Sequence, residues 1–144
     1  DATEEEILAA AKTAQALEFI REKPGGLDAP VAQLGQNFSG GQKQRLSIAR
    51  ALVRRPEVYI FDDSFSALDA KTDAALRAAL KETTGDATVL IVAQKVSTVM
   101  DADRILVLDG GGCVGMGTHR ELLQSCPVYQ EIVYSQMSAE EVEA

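Results

Sequence analysis

The feature that most constrains the fold is the run Val58-Tyr59-Ile60-Phe61, which ends abruptly in Asp62-Asp63. All four residues are β-branched or aromatic, and the run is too short for a buried helix. Continuous rather than alternating hydrophobicity predicts a strand buried on both faces of a parallel sheet. The next segments agree. Asp69 to Glu82 carries Ala75, Leu76, Ala79 and Leu80 at helical spacing, and Thr88–Val92 is a second apolar run. Strand, helix and strand in that order predict a right-handed parallel crossover and an α/β fold. Arg104–Leu108 reads as a further buried strand, Gly110–Gly112 as a turn into a short strand near Val114, and two helices close the chain.

The N-terminal third is helical in pattern. Thr3 with Glu6 forms a capping box that opens a helix through about Lys12, and Ala14–Glu22 continues with Leu17 and Ile20 on one face. Pro24-Gly25-Gly26 breaks it, and Asp28–Gln36, with Pro30 and Gly35, reads as a loop. Ser39 then caps a long helix that runs to about Arg54 and is ended by Pro56. With 46% apolar and 25% charged residues in 144, the chain has enough for one compact unit with a real core. A formal charge of −8 argues against gripping nucleic acid through its phosphates, although Lys43, Arg45, Arg50, Arg54 and Arg55 make one helix locally basic. Cys113 and Cys126 form neither a disulfide framework nor a zinc motif, so reduced thiols in a cytosolic compartment are expected. No run approaches the roughly 18 apolar residues of a membrane span. The N-terminus has no signal-peptide pattern and no initiator Met, which suggests a chain cut from something larger.

Three short motifs carry chemistry. Ser39-Gly40-Gly41-Gln42 is itself a capping box, and taken alone it need only start a helix. Two glycines in a first turn cost helix stability unless something approaches the backbone closely, and an anion at the positive helix end is the natural candidate. A hydrophobic strand that delivers a carboxylate at its C-terminal end, as Val58–Asp62 does, is how P-loop ATPases hold magnesium on nucleotide phosphates. Ser66-Ala67-Leu68-Asp69 follows at once, and the glycine motif lies about twenty residues upstream of the paired aspartates.

With these motifs in that order, the chain resembles the nucleotide-binding domain of ABC transporters, essentially end to end. The resemblance implies a partial P-loop NTPase core with a parallel sheet, residues 56–144, and an α-helical signature subdomain, residues 1–55. It makes Ser39, Gly40, Gly41 and Gln42 the signature loop, Asp62 the Walker B aspartate facing Mg2+, and Ser66–Asp69 the D-loop, with Asp69 near ATP. Asp63 and Gln94 fall at the two catalytic positions. Gly117-Thr118-His119-Arg120-Glu121-Leu122 looks like the segment after the last strand in exporter-type members, which makes His119 a first-turn helix residue rather than a catalyst. A Walker A loop needs Gly-Lys followed by Ser or Thr, and no lysine here follows a glycine, so the phosphate-cradling half is absent. Gly110-x-Gly112-x-x-Gly115 matches a dinucleotide fingerprint formally but reads as a hairpin turn.

The chain departs from the family where the chemistry is done. Efficient members carry Glu after the Walker B aspartate and His at the switch position, and this chain has Asp63 and Gln94. Aspartate is about 1.5 Å shorter at nearly the same intrinsic pKa. Glutamine hydrogen-bonds a phosphate but neither becomes cationic nor shuttles a proton. Ahead of the signature, Gln33-Leu34-Gly35 replaces the usual Glu-Arg-Gly. With these departures, resemblance to heterodimeric ABC exporters implies an exporter subunit at the cytoplasmic face of the membrane, beside a transmembrane domain and a second, non-identical nucleotide-binding domain. It would bind ATP, hydrolyse it slowly at its own site and give a good signature loop to its partner, whereas this chain alone would be inactive. The alternatives are a soluble ABC ATPase of the DNA-repair or translation-factor type and a non-catalytic remnant.

Overall fold

The computed structural model describes residues 1–138, and the chain divides into two compact units, 1–92 and from Ala93 onward. The first unit begins with α1 (Glu4–Thr13), opened by the expected Thr3/Glu6 box. A turn at Gln15, whose φ is +56°, separates it from α2 (Leu17–Glu22), so the expected continuous segment is two helices. A short 3-10 turn, Gly26–Asp28, leads into the loop expected at Asp28–Gln36, which contains a second, Gln33–Gly35. Helix α3 (Gly40–Leu52) follows its Ser39 cap, with Ile48 and Leu52 buried on one stripe.

Strand β1 (Val58–Asp62), helix α4 (Ala70–Thr84) and strand β2 (Thr88–Val92) form the expected parallel unit, in register from Val58 opposite Thr88 to Asp62 opposite Val92. One expectation fails here. β1 is not buried on both faces: Tyr59 and Phe61 are 4% and 2% exposed, whereas Val58 and Ile60 are 54% and 66% exposed. Leu90 and Val92 of β2 are likewise exposed. A strand's side chains alternate between two faces, and here one face packs into the core while the other, equally apolar, lies open. The core beneath the covered face joins Ala11, Phe19, Ile48, Phe61, Leu68 and Leu76 with their neighbours.

The second unit starts with α5 (Val96–Val99), a one-turn helix that the sequence pattern did not announce. β3 (Ile105–Asp109) and β4 (Gly112–Gly117) pair antiparallel. Gly110 and Gly111, at φ +55° and +80°, make the turn, so the glycine run is a hairpin and opens no dinucleotide-binding helix. β3 also buries only Ile105 and Val107, leaving Leu106 and Leu108 exposed. Helices α6 (His119–Ser125) and α7 (Pro127–Gln136) cover the buried side through Leu122, Cys126, Tyr129 and Val133. Both cysteines are free.

Candidate functional site

The loop before α3 is shaped by its own side chains. Asn37 Nδ2 donates to the Pro30 carbonyl at 2.8 Å and its Oδ1 accepts the Ala32 N–H at 3.1 Å, folding residues 30–37 into a closed turn. Phe38 packs edge-on against Phe19 and lies under the Lys23 ammonium, 4.3 Å from the ring centre. These contacts deliver Ser39 to the head of α3. There Ser39 Oγ accepts the Gln42 N–H at 3.2 Å and Gln42 Oε1 accepts the Ser39 N–H at 3.1 Å. A helix start has four N–H groups without intrahelical partners, and this box satisfies two. The Gly40 and Gly41 amides are those it leaves over.

The Ser66–Asp69 turn lies against this helix end, and the two enclose a cleft of about 340 Å3 lined by Ser39, Gly40, Gly41, Arg45, Ala67, Leu68, Asp69 and Thr72. The glycines prove to have different reasons. A Cβ on Gly41 would stand 2.9 Å from the Ala67 carbonyl oxygen, whereas one on Gly40 would make an ordinary 3.5 Å contact with Ala67 Cβ. Gly41 is therefore required by close approach within the chain itself, whereas Gly40 is not. Arg45 brings charge to the cleft, but it is held: Nη1 donates to the Gln15 carbonyl at 2.6 Å and the guanidinium stacks 4.8 Å from the Phe19 ring centre. Asp69 caps α4. Its carboxylate accepts from the Thr72 N–H at 2.9 Å and Thr72 Oγ1 at 2.7 Å, and these bonds, the backbone one first, hold its carboxyl below the usual aspartate range.

The paired aspartates stand at the C-terminal end of β1. Asp62 ends the strand, and Asp63 turns away from it at φ +47°, in the left-handed region, with its N–H bonded to the Val92 carbonyl at 3.0 Å. Ser66 Oγ lies 3.1 Å from both the Asp63 carbonyl and Asp63 Oδ2. Gln94 belongs to the second unit, where its carbonyl accepts from Gln136 Nε2 at 2.8 Å while Gln136 Oε1 accepts the Val96 N–H at 2.9 Å. In that unit Thr118 and Glu121 form a capping box ahead of α6, and His119 Nδ1 lies 2.7 Å from Tyr129 Oη, whose pKa burial raises.

Thus the first unit brings together Ser39, Gly40, Gly41 and Asp69 around one cleft, with Gln42 tied into the Ser39 cap, and sets Asp62 and Asp63 at the strand end that leads into the same turn. Two residues escaped the sequence reading. Gln44 bridges α3 to the 63–67 turn, and Gln136 braces residues 94–96. Each is a primary amide one helical turn from buried residues: Gln44 precedes Ile48 by four, and Gln136 follows Val133 by three. Gln44 is half-buried and Gln136 exposed, so water could have satisfied either amide and no sequence pattern marked them.

The site fits magnesium-bound nucleotide in its chemistry. Among the described residues no cluster of three or more metal-ligating side chains occurs. Magnesium on a nucleotide needs only one or two carboxylates, since water and phosphate oxygens supply the rest. Asp62, at the end of β1, could supply such a carboxylate, and the Gly40 and Gly41 amides at the separate head of α3 could meet a phosphate.

Residues 2–66 match the family model described as ABC transporter. An uncharacterised ABC transporter ATP-binding protein of Mycobacterium tuberculosis is 51% identical over 134 residues, 93% of this chain and 23% of that protein. The ATP-dependent lipid A-core flippase of Haemophilus influenzae is 46% identical over 134 residues, with the same two coverages of 93% and 23%. Among solved structures, a bacterial Atm1-family ABC exporter with ATP bound superposes with a TM-score of 0.91 at 38% identity, covering 95% of this chain and 24% of that one. The chain thus spans just under a quarter of the length of these relatives, 23% to 24%.

Proposed function

The chain belongs to the ABC transporter ATP-binding family, and from that premise we propose that it is the C-terminal part of an exporter's nucleotide-binding domain, acting at the cytoplasmic face of a membrane. Among the described residues no helix is long and apolar enough to cross a membrane, so a transmembrane domain is a required partner in this reading. The second partner is another nucleotide-binding domain, non-identical in sequence. The proposed division into a helical part, 1–55, and a core part, 56–144, follows the same family pattern.

The observation that carries the proposal is the cleft at the head of α3, where a neutral capping box and two unused glycine amides face the Ser66–Asp69 turn. Ser39–Gln42 presents the positive helix end to phosphate held by the partner. Asp62 would hold the magnesium of this chain's own ATP, and the ion, when bound, would neutralise phosphate charge. Asp63 orients the attacking water, and Gln94 hydrogen-bonds the γ-phosphate. Two features support slow hydrolysis at this chain's own site: Asp63 is short for its task, and its Oδ2 already lies 3.1 Å from Ser66 Oγ within its own turn. Gln94 can donate a hydrogen bond but neither becomes cationic nor transfers a proton. ATP bound there serves mainly to hold the two domains together.

The test uses the full-length pair. Asp63→Glu combined with Gln94→His should raise ATP turnover by about tenfold or more, since about 1 Å of reach is worth on the order of a hundredfold. Unchanged turnover with nucleotide occupancy verified would overturn the slow-site reading. This chain alone, lacking a Gly-Lys phosphate loop, should show no micromolar ATP binding by calorimetry and no hydrolysis.

A further inference from the structure

Gln44 has no part in the function proposed above, yet its side chain joins the two elements that make the cleft. Nε2 donates to the Asp63 carbonyl at 3.0 Å and to Ser66 Oγ at 2.9 Å, and Oε1 accepts the Ala67 N–H at 2.9 Å. A primary amide has two donor hydrogens and two acceptor lone pairs. Both donors and one acceptor position are therefore spent on a single five-residue turn, 19 to 23 positions away in sequence.

That turn is one that needs holding. Asp63 sits at φ +47°, where a residue with a Cβ is strained, and the Gln44 bond falls on the carbonyl of that same residue. The Asp63 N–H is already bonded to the Val92 carbonyl at 3.0 Å. The peptide groups on either side of Asp63 are thus fixed from opposite directions, one by β2 and one by α3, and the direction of its side chain is fixed with them. At the far end of the turn, the bond to the Ala67 N–H holds Ala67 where its carbonyl closes on Gly41. One side chain sets both the aim of the Asp63 carboxylate and the spacing between the Ser39–Gln42 helix end and the turn opposite it.

We infer that Gln44 is a positioning residue for ATP turnover, making the Asp63 turn and the head of α3 one rigid nucleotide-facing surface. The inference rests on the proposed reading of that surface as the ATP-facing one. Its consequence is mechanical coupling: the carboxylate that serves this chain's nucleotide and the loop offered to the partner's nucleotide shift together.

In the full-length transporter, Gln44→Ala and the near-isosteric Gln44→Met both remove the three bonds, while Met keeps the volume. Both should lower kcat for ATP hydrolysis about tenfold and leave KM for ATP within about threefold. Amide exchange across residues 63–68 should quicken, with the Tm of the Met variant retained. Gln44→Met combined with Ser66→Ala should cost less than the product of the two single effects, because both act through one network. Wild-type kcat in Gln44→Met would reduce Gln44 to packing and overturn the inference. So would a fall in kcat matched by a fall in Tm and in ATP binding. Unchanged exchange over 63–68 overturns it as well, whatever the turnover. Failure of the slow-site reading looks different: Asp63→Glu with Gln94→His leaves turnover unchanged while Gln44→Met still lowers it.

Discussion

At the head of α3, Ser39 Oγ accepts the Gln42 N–H at 3.2 Å and Gln42 Oε1 accepts the Ser39 N–H at 3.1 Å. At the head of α6, Thr118 and Glu121 exchange the same two bonds at 3.3 and 2.8 Å. The backbone geometry matches too, with caps at φ −67°, ψ 164° and φ −73°, ψ 165°. The two helix starts differ in charge and in what packs beneath them. Glu121 places a carboxylate on the positive end of α6 and so neutralises it, as Glu6 does for α1. Gln42 makes the same bond with a neutral amide, and the end of α3 keeps its attraction for anions. His119 and Arg120 fill the first turn of α6, where α3 has Gly40 and Gly41. A Ser/Thr-x-x-Glu/Gln pattern announces that a helix begins, and the third residue after the cap decides whether the helix end is spent on itself or left for a ligand.

The strongest way to break this comparison is Gly41→Ala. Its Cβ would meet the Ala67 carbonyl at 2.9 Å, a backbone atom with little freedom to yield. The shift needed between α3 and the turn, roughly half an ångström, should cost more than about tenfold in ATP turnover of the full-length protein. Gly40→Ala, whose added Cβ makes only a 3.5 Å contact, should cost far less unless the ligand itself needs that space. Equal effects at both glycines would mean that the ligand, and not Ala67, is what excludes a side chain. The next effect comes from Gln42→Glu, which turns the α3 box into a copy of the α6 box. Helix stability should hold, while a carboxylate set beside incoming phosphate should lower turnover about tenfold, less so at high salt. Full activity in that variant would show that the neutral cap does not matter.

Much of this was legible in sequence because capping is local. The Ser39 and Thr118 boxes, the β1–α4–β2 unit and the hairpin at Gly110 follow from patterns spanning a few residues. What escaped depends on long separations. Gln44 reaches the turn 19 to 23 residues away and Gln136 reaches Gln94 across 42, and no local pattern says which partner an amide will choose. The reason for Gly41 was hidden in the same way: the atom that forbids its Cβ belongs to Ala67. β1 misled for a different reason. Its continuous hydrophobicity records two faces that need cover, and one of them is open here.

A smaller effect separates cap strength from function. Ser39→Ala and Thr118→Ala each remove a capping oxygen, and each should destabilise by about 1 kcal/mol. Only Ser39→Ala should also reduce turnover, since Ser39 lines the cleft and Thr118 lies in the other unit. Equal losses of turnover would reduce the α3 box to a helix start like any other.

The smallest expected effect is a difference in pH response. Hydrogen bonds from the Thr118 backbone and then its side chain, with Arg104 contributing less, hold the Glu121 carboxyl below its ordinary 4.5. A depressed carboxyl pKa stabilises the folded state above the ordinary value, and that contribution is lost as pH falls through the lower, folded one. The α6 cap should therefore weaken below pH 4.5, as should the Glu6 cap of α1, whose carboxyl is lowered by the same kind of bonds from Thr3. Gln42 does not titrate, and the α3 cap should persist through the same range. In selectively labelled protein, the Thr118 amide proton, which donates to Glu121 at 2.8 Å, should show an acid step with its midpoint below 4.5. The Ser39 amide, which donates to Gln42, should show no step of comparable size. Glu121→Gln should erase the Thr118 step and make the two helix ends alike. A step at Ser39 that matched Thr118 would place a titrating group at the α3 cap and end the distinction between a helix end that neutralises itself and one left open to phosphate.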